Sequence, residues 1–206
     1  MIDKIVTYRR ILGIDPGTLF MGYALLDVQN NKSDVVKFDV FDVHKMSDHF
    51  ARLQKEFFFL QELVETYKPT ELAVETQFVD KNPQSMIKIV QAQTIAIAVA
   101  LSHDLPIYEY TPLKVKMAIT GNGRASKEQM ADMLQRFLHL PKENMPKKLD
   151  ATDALGIAYC HFLQCGLPQS DKKTPKDWTT FAKQKGLVQP TNSPNAKLLQ
   201  LLKTKK

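Results

Sequence analysis

The 206-residue sequence predicts an α/β protein: a mixed five-stranded sheet flanked by helices, followed by a basic C-terminal tail. Three observations predict it. Strand-like apolar runs broken by turn signals fill residues 11–43. Helix-period segments and short strand-like segments then alternate. Periodicity fades past about residue 168, so the sheet and its helices are expected in 1–168 and the tail in 169–206.

The first strand is expected at Ile11–Ile14, closing on Asp15-Pro16-Gly17, a tight-turn sequence. A second strand, Met21–Val28, and a third, Val35–Val43, are joined by "QNNKS" and complete an antiparallel meander. Ser47 reads as an N-cap, and Phe50, Leu53, Phe57, Leu60, Val64 and Tyr67 then recur at steps of three and four. That pattern predicts an amphipathic helix, stopped by Pro69. "ELAVE", residues 71–75, predicts a short buried strand that ends, like the first, on an acid.

A helix is expected from about Pro83 to Ser102. Its stretch Ile95–Leu101 is apolar on every side, so one sheet cannot cover it, and a subunit interface is expected there. "PIYEY", 106–110, supplies a fifth strand, and a short helix follows from Pro112 to about Ile119. After the loop "TGNGRASKEQ", Ser126 caps a helix predicted to reach Leu140, and a last helix runs from about Leu149 to just before Gly166.

Composition excludes several classes. No N-terminal stretch has the make-up of a signal peptide, and the wholly apolar run Ile95–Leu101 is far short of the roughly 20 residues that span a bilayer. No membrane partner is expected, and a cytoplasmic location is. Cys160 and Cys165 lie on one predicted helix in a poor geometry for a disulfide, which suggests buried free thiols in a reducing compartment. The net charge of +6 is unevenly placed: residues 171–206 hold nine lysines against two aspartates, so the remainder is nearly neutral. The tail's expected roles are solubility, added affinity for a polyanion such as nucleic acid, or docking of its "LLQLL" segment.

Acids stand where elements end. Asp15 closes the first strand and Glu75 the fourth, while Asp150 and Asp153 share one face at the start of the last helix. Taken singly, each has an ordinary explanation as a turn, a solvated strand end, or a helix cap. Taken together, they need a positive partner. At an effective dielectric near 20, each like-charge pair about 4 Å apart costs roughly 4 kcal/mol. Divalent Mg²⁺, which prefers oxygen ligands, is the expected occupant, and two such ions suit phosphodiester hydrolysis. The five histidines show no paired ligand spacing, and no phosphate-loop signature is present.

Four stretches, "GIDPGTLFMGYALLD", "AVETQFVDKNPQSMIKIVQAQ", "EYTPLKVKMAITGNGRASKEQM" and "LDATDALGIAYCH", occur in an order and at spacings that resemble the RuvC Holliday-junction resolvases, within the ribonuclease H-like nucleases. The resemblance covers about residues 9–165. It implies a ribonuclease H-like sheet and a homodimer that makes paired nicks in a four-way DNA junction during recombination and repair. It also implies a possible branch-migration motor as partner, and Mg²⁺ ions, replaceable by Mn²⁺, on Asp15, Glu75, Asp150 and Asp153. Phe78 matches the family's junction-contacting aromatic, and Lys116 and Lys127 match its lysines near the scissile phosphate; Arg124 is a further phosphate-contact candidate. One departure is "KIVQAQTIA", where the family usually carries a Leu-Gly pair and a later glycine, so subunit packing is expected to differ. Competing readings are a related nuclease acting on RNA or an RNA–DNA hybrid, and a non-catalytic junction-binding module; the latter predicts a missing acid.

Overall fold

A computed structural model describes residues 8–76, 83–146 and 148–166. Five strands form one sheet in the order β3-β2-β1-β4-β5. They are β1 (Arg9–Asp15), β2 (Phe20–Gln29), β3 (Lys32–Asp42), β4 (Glu71–Glu75) and β5 (Ile107–Tyr110). β1, β2 and β3 pair antiparallel, while β4 lies parallel to both β1 and β5. The expected meander is present, each strand within a few residues of its predicted bounds. Val43 lies just past β3 but is buried, its N–H bonded to Leu19 O at 3.0 Å.

Helices cover both faces. On one face α1 (His49–Tyr67) and α2 (Pro83–Ser102) enclose Leu12, Ile14, Tyr23, Leu72 and Val74. On the other, α3 (Pro112–Thr120), α4 (Lys127–Phe137) and α5 (Leu149–Gly166) cover Ile11, Ala24, Leu26 and Ala73. Strand alternation divides the two cores, since successive residues of β1 and β4 point to opposite sides.

The structure corrects several local expectations. Asp48, not Ser47, caps α1: its side chain accepts from Ala51 N at 2.6 Å, and a carboxylate is at least as good a cap as a hydroxyl. Phe50, in the first turn of α1, is exposed rather than buried; the apolar side chains of α1 packed on that core begin at Phe57. α4 ends at Phe137, not Leu140. His139 takes a left-handed φ of 51°, and Leu140 N then bonds to Gln135 O at 3.0 Å, turning the chain off the helix axis. Asp150 lies inside the first turn of α5 rather than capping it. Cys160 is buried and Cys165 exposed, both free, so only one of the two expected buried thiols is buried.

α2 has the length and mean hydropathy of a membrane span. Its inward face, Ala92, Gln93, Ala96, Val99 and Ala100, is nevertheless buried in the fold. Its outward face leaves Ile87, Val90 and Leu101 exposed among Gln84, Ser85, Lys88 and Thr94.

Candidate metal centre and nucleic-acid interface

β1 delivers Asp15 to the edge of the sheet. The parallel register pairs Ile14 with Val74, so Asp15 and Glu75 leave neighbouring strands at the same edge. Alternation turns both acids toward the α5 face, the side of Ile11 and Ala73.

α5 supplies the other acids, and its seating rests on glycine. A Cβ on Gly22 would lie 2.0 Å from Asp150 O, and one on Gly13 would lie 2.4 Å from Ala154 O. Only hydrogen fits at either place, so backbone meets backbone and the first turns of α5 press directly onto β1 and β2. Ala154 and Ala158, one turn apart, line the same seam. Gly17 serves the turn itself, since a Cβ there would meet Phe20 O at 1.9 Å.

The outcome is a cluster in which one carboxylate oxygen each from Asp15, Asp150 and Asp153 lies within 4.8 Å of the other two. Glu75 stands outside this trio but near enough for its charge to raise the Asp15 pKa. Burial is the larger cause; with Glu75, Asp153 and Asp150 added, the Asp15 carboxyl is held well above the usual carboxylate range, against the opposing pull of Lys127. Asp153, itself buried, is also raised by burial, although Lys127 opposes this.

Lys127 opens α4 directly after Ser126, whose capping box with Gln129 fixes the helix start. Its ammonium donates a short hydrogen bond to Asp153 Oδ2 and lies 3.9 Å from Asp150 Oδ1. Burial pulls the Lys127 pKa down, but Asp153, Asp15 and Asp150 outweigh it and hold the group above its ordinary value. Lys116 on α3 reaches the cluster electrostatically, its charge lowering the Asp153 pKa. Arg124 is exposed on the α3–α4 loop, where its own N–H bonds to Asn122 Oδ1 at 3.0 Å, and no described contact brings its side chain into the cluster. Phe78 lies outside the described residues.

This donor set is all oxygen and short of positive charge, which fits a hard divalent cation. The glycine seam was not legible as a site feature, although Gly13 and Gly22 in the first strands and Ala154 and Ala158 in α5 were its signal.

The model for the crossover junction endodeoxyribonuclease RuvC matches residues 11–161. The chain belongs to the RuvC family. A RuvC from Bacteroides fragilis is 53% identical over 79% of this chain and 86% of its own length. One from Porphyromonas gingivalis is 45% identical over 84% of this chain and 93% of its own. Among solved structures, Thermus thermophilus RuvC in complex with a Holliday junction substrate superposes with a TM-score of 0.69 at 27% identity, covering 76% of this chain and 94% of that one. The ribonuclease H-like fold and the crossover junction endodeoxyribonuclease activity expected from the sequence are those of this RuvC-family chain.

Proposed function

We propose that the Asp15–Asp150–Asp153 cluster, with Glu75, is the Mg²⁺ centre at which this metal-dependent nuclease hydrolyses one phosphodiester of a four-way DNA junction. The observation that carries it is the trio of acid oxygens within 4.8 Å, partnered chiefly by Lys127. Asp15, Glu75 and Asp153 would hold the ions, two per site with Mn²⁺ able to substitute, and Asp150 would bind metal or orient the attacking water. Such ions supply charge neutralisation at the phosphate and a more acidic water.

The chain's own residues do the rest. Lys127 is now the counter-ion of Asp153; once those acids face a cation, its ammonium is available to a non-bridging phosphate oxygen as negative charge builds there. Phe78 would stack at the opened bases beside the cut, and Lys116 and Arg124 would hold flanking phosphates. Two copies joined through the outward faces of α2 and α1, where Ile87, Val90, Phe50 and Phe58 are exposed, would set two such sites at a fixed separation that suits a branched junction. That enzyme would work in the cytoplasm, off the membrane, with a branch-migration motor as a possible partner. The basic residues 169–206 would form a separate tail, in keeping with its charge.

The test is cleavage of a synthetic four-way junction in Mg²⁺ by the intact protein and by Asp15→Asn, with a linear duplex as control. Paired symmetric nicks in the junction alone, lost in Asp15→Asn, are the expected result. Undiminished cleavage by Asp15→Asn would overturn the site assignment.

A further inference from the structure

Beside the acid cluster, on the flank away from β4, lies a second arrangement that the cleavage chemistry does not use. Phe20 opens β2 and Asp42 closes β3, and the two are direct partners in the antiparallel register. Both therefore stand at the sheet edge where β1 ends in Asp15. Lys148, two residues ahead of Asp150, lays its ammonium over the Phe20 ring, 3.3 Å from the centroid, and donates to Asp42 Oδ2 at 3.1 Å. The other oxygen of Asp42 accepts from His44 N at 3.0 Å and lies 2.5 Å from His44 Nδ1, and the His44 ring sits 5.5 Å from that of Phe20.

The cation–π contact with Phe20 contributes about 0.5–1 kcal/mol, but stability accounts for only part of this arrangement. An exposed lysine–aspartate pair contributes little, and a cation just ahead of a helix is opposed by the helix dipole. What the contacts do is hold a long, flexible side chain in one place. The Lys148 ammonium has three donors, one of which serves Asp42, and the side chain remains 43% exposed. A phosphate meeting it would not have to order it first.

We propose that Lys148 is a second phosphate clamp: it grips a backbone phosphate of the cut strand, on the β2 side of the scissile bond, with Phe20 and Asp42 as its supports. Neighbouring strands lie about 4.8 Å apart, and nucleotides of one DNA strand rise about 3.4 Å each. Crossing from β1 to the β2–β3 edge therefore corresponds to a phosphate close to the cut. The clamp rests on the reading of the acid cluster as the cleavage site. It would act as a positioning residue, felt in DNA affinity and register rather than in the chemical step.

The experiment measures binding of the full-length protein to a synthetic four-way junction across a salt series, in an Asp15→Asn background so that the DNA stays intact. Cleavage by the parent and by Asp15→Asn is followed in parallel. Lys148→Ala is expected to weaken binding roughly tenfold at moderate salt and to reduce the slope of log K against log salt by about 0.9, the loss of one phosphate contact. Lys148→Arg should restore the slope, and Asp42→Asn should keep it, since the ammonium survives. A Lys148→Ala slope equal to its parent's would overturn the clamp alone and leave the acid site standing. So would a failure of Lys148→Arg to restore the slope, which would make the cluster a piece of structure. Persistent cleavage by Asp15→Asn would overturn the site reading and the clamp with it.

Discussion

The two ends of the sheet handle buried acid in opposite ways. Glu71 and Glu75 begin and end β4, on the same face and under the same helix α5. At the first end Glu71 is fully answered: Arg9 Nε donates at 2.7 Å, and His161 Nε2 lies 3.0 Å away. The other ring nitrogen of His161 sits 2.6 Å from the Tyr110 hydroxyl. Burial pushes the Glu71 carboxyl up, but His161 and Arg9 outweigh it and hold it below the ordinary glutamate value. At the second end burial and three other acids drive Asp15 the opposite way. The same fold can neutralise a carboxylate with its own cations, so the deficit at Asp15 reflects its particular neighbours and leaves room for an imported charge.

Breaking each end separately tests that contrast. The largest effect is expected from Asp153→Asn, which removes one of the proposed metal ligands and the partner of Lys127; junction cleavage should fall by about three orders of magnitude with the fold intact by circular dichroism. Next is Glu71→Ala, which removes the carboxylate partner of Arg9 and of the buried His161 Nε2 and should cost about 3 kcal/mol in urea unfolding, while cleavage per folded molecule is kept.

Glu56 sharpens the comparison because it is neither answered nor at the site. It is 1% exposed, its Oε2 has no partner among the described residues, and burial, only partly opposed by Arg52, pushes its pKa up to about 7. A raised carboxyl costs stability as pH climbs from its ordinary value to that one, so wild type should lose about 1.4 kcal/mol between pH 6 and 8.5, and Glu56→Gln should lose much less. Smallest is Asp15→Asn without metal, which relieves the cluster and should stabilise the protein by about 1 kcal/mol at neutral pH. The sign again follows from a raised pKa: the wild-type deficit grows as pH rises through it and vanishes in acid. Glu71, with a depressed pKa, behaves inversely, its contribution being present above its ordinary value and lost as pH falls through the depressed one. Thermal melts with and without Mg²⁺ should show a gain in wild type that Asp15→Asn lacks.

Much of this was legible in residue order. An acid at a strand end and two acids three apart at a helix start are local patterns, and the structure brings those three together. Helix-period apolar residues marked α1, but a count of apolar positions could not find Glu56, a buried acid on the inward side. Nor could it find His161, whose partners Glu71 and Tyr110 come from strands far away in sequence. Ser47 and Asp48 are both capable caps, and only the path of the chain into α1 decides between them. Lys148 was invisible for the same reason: its ring and its carboxylate lie on β2 and β3.

The glycine seam carries a consequence for positional noise. Were α5 spaced from the sheet by leucines or phenylalanines, every rotamer hop on the picosecond to nanosecond scale would jostle Asp150 and Asp153 relative to Asp15. Here peptide group rests on peptide group at Gly13 and Gly22, with no torsion-bearing side chain between. The backbone spacing beneath the acid cluster is thus set by direct peptide-to-peptide contact, and only the short Asp side chains themselves add torsions to it.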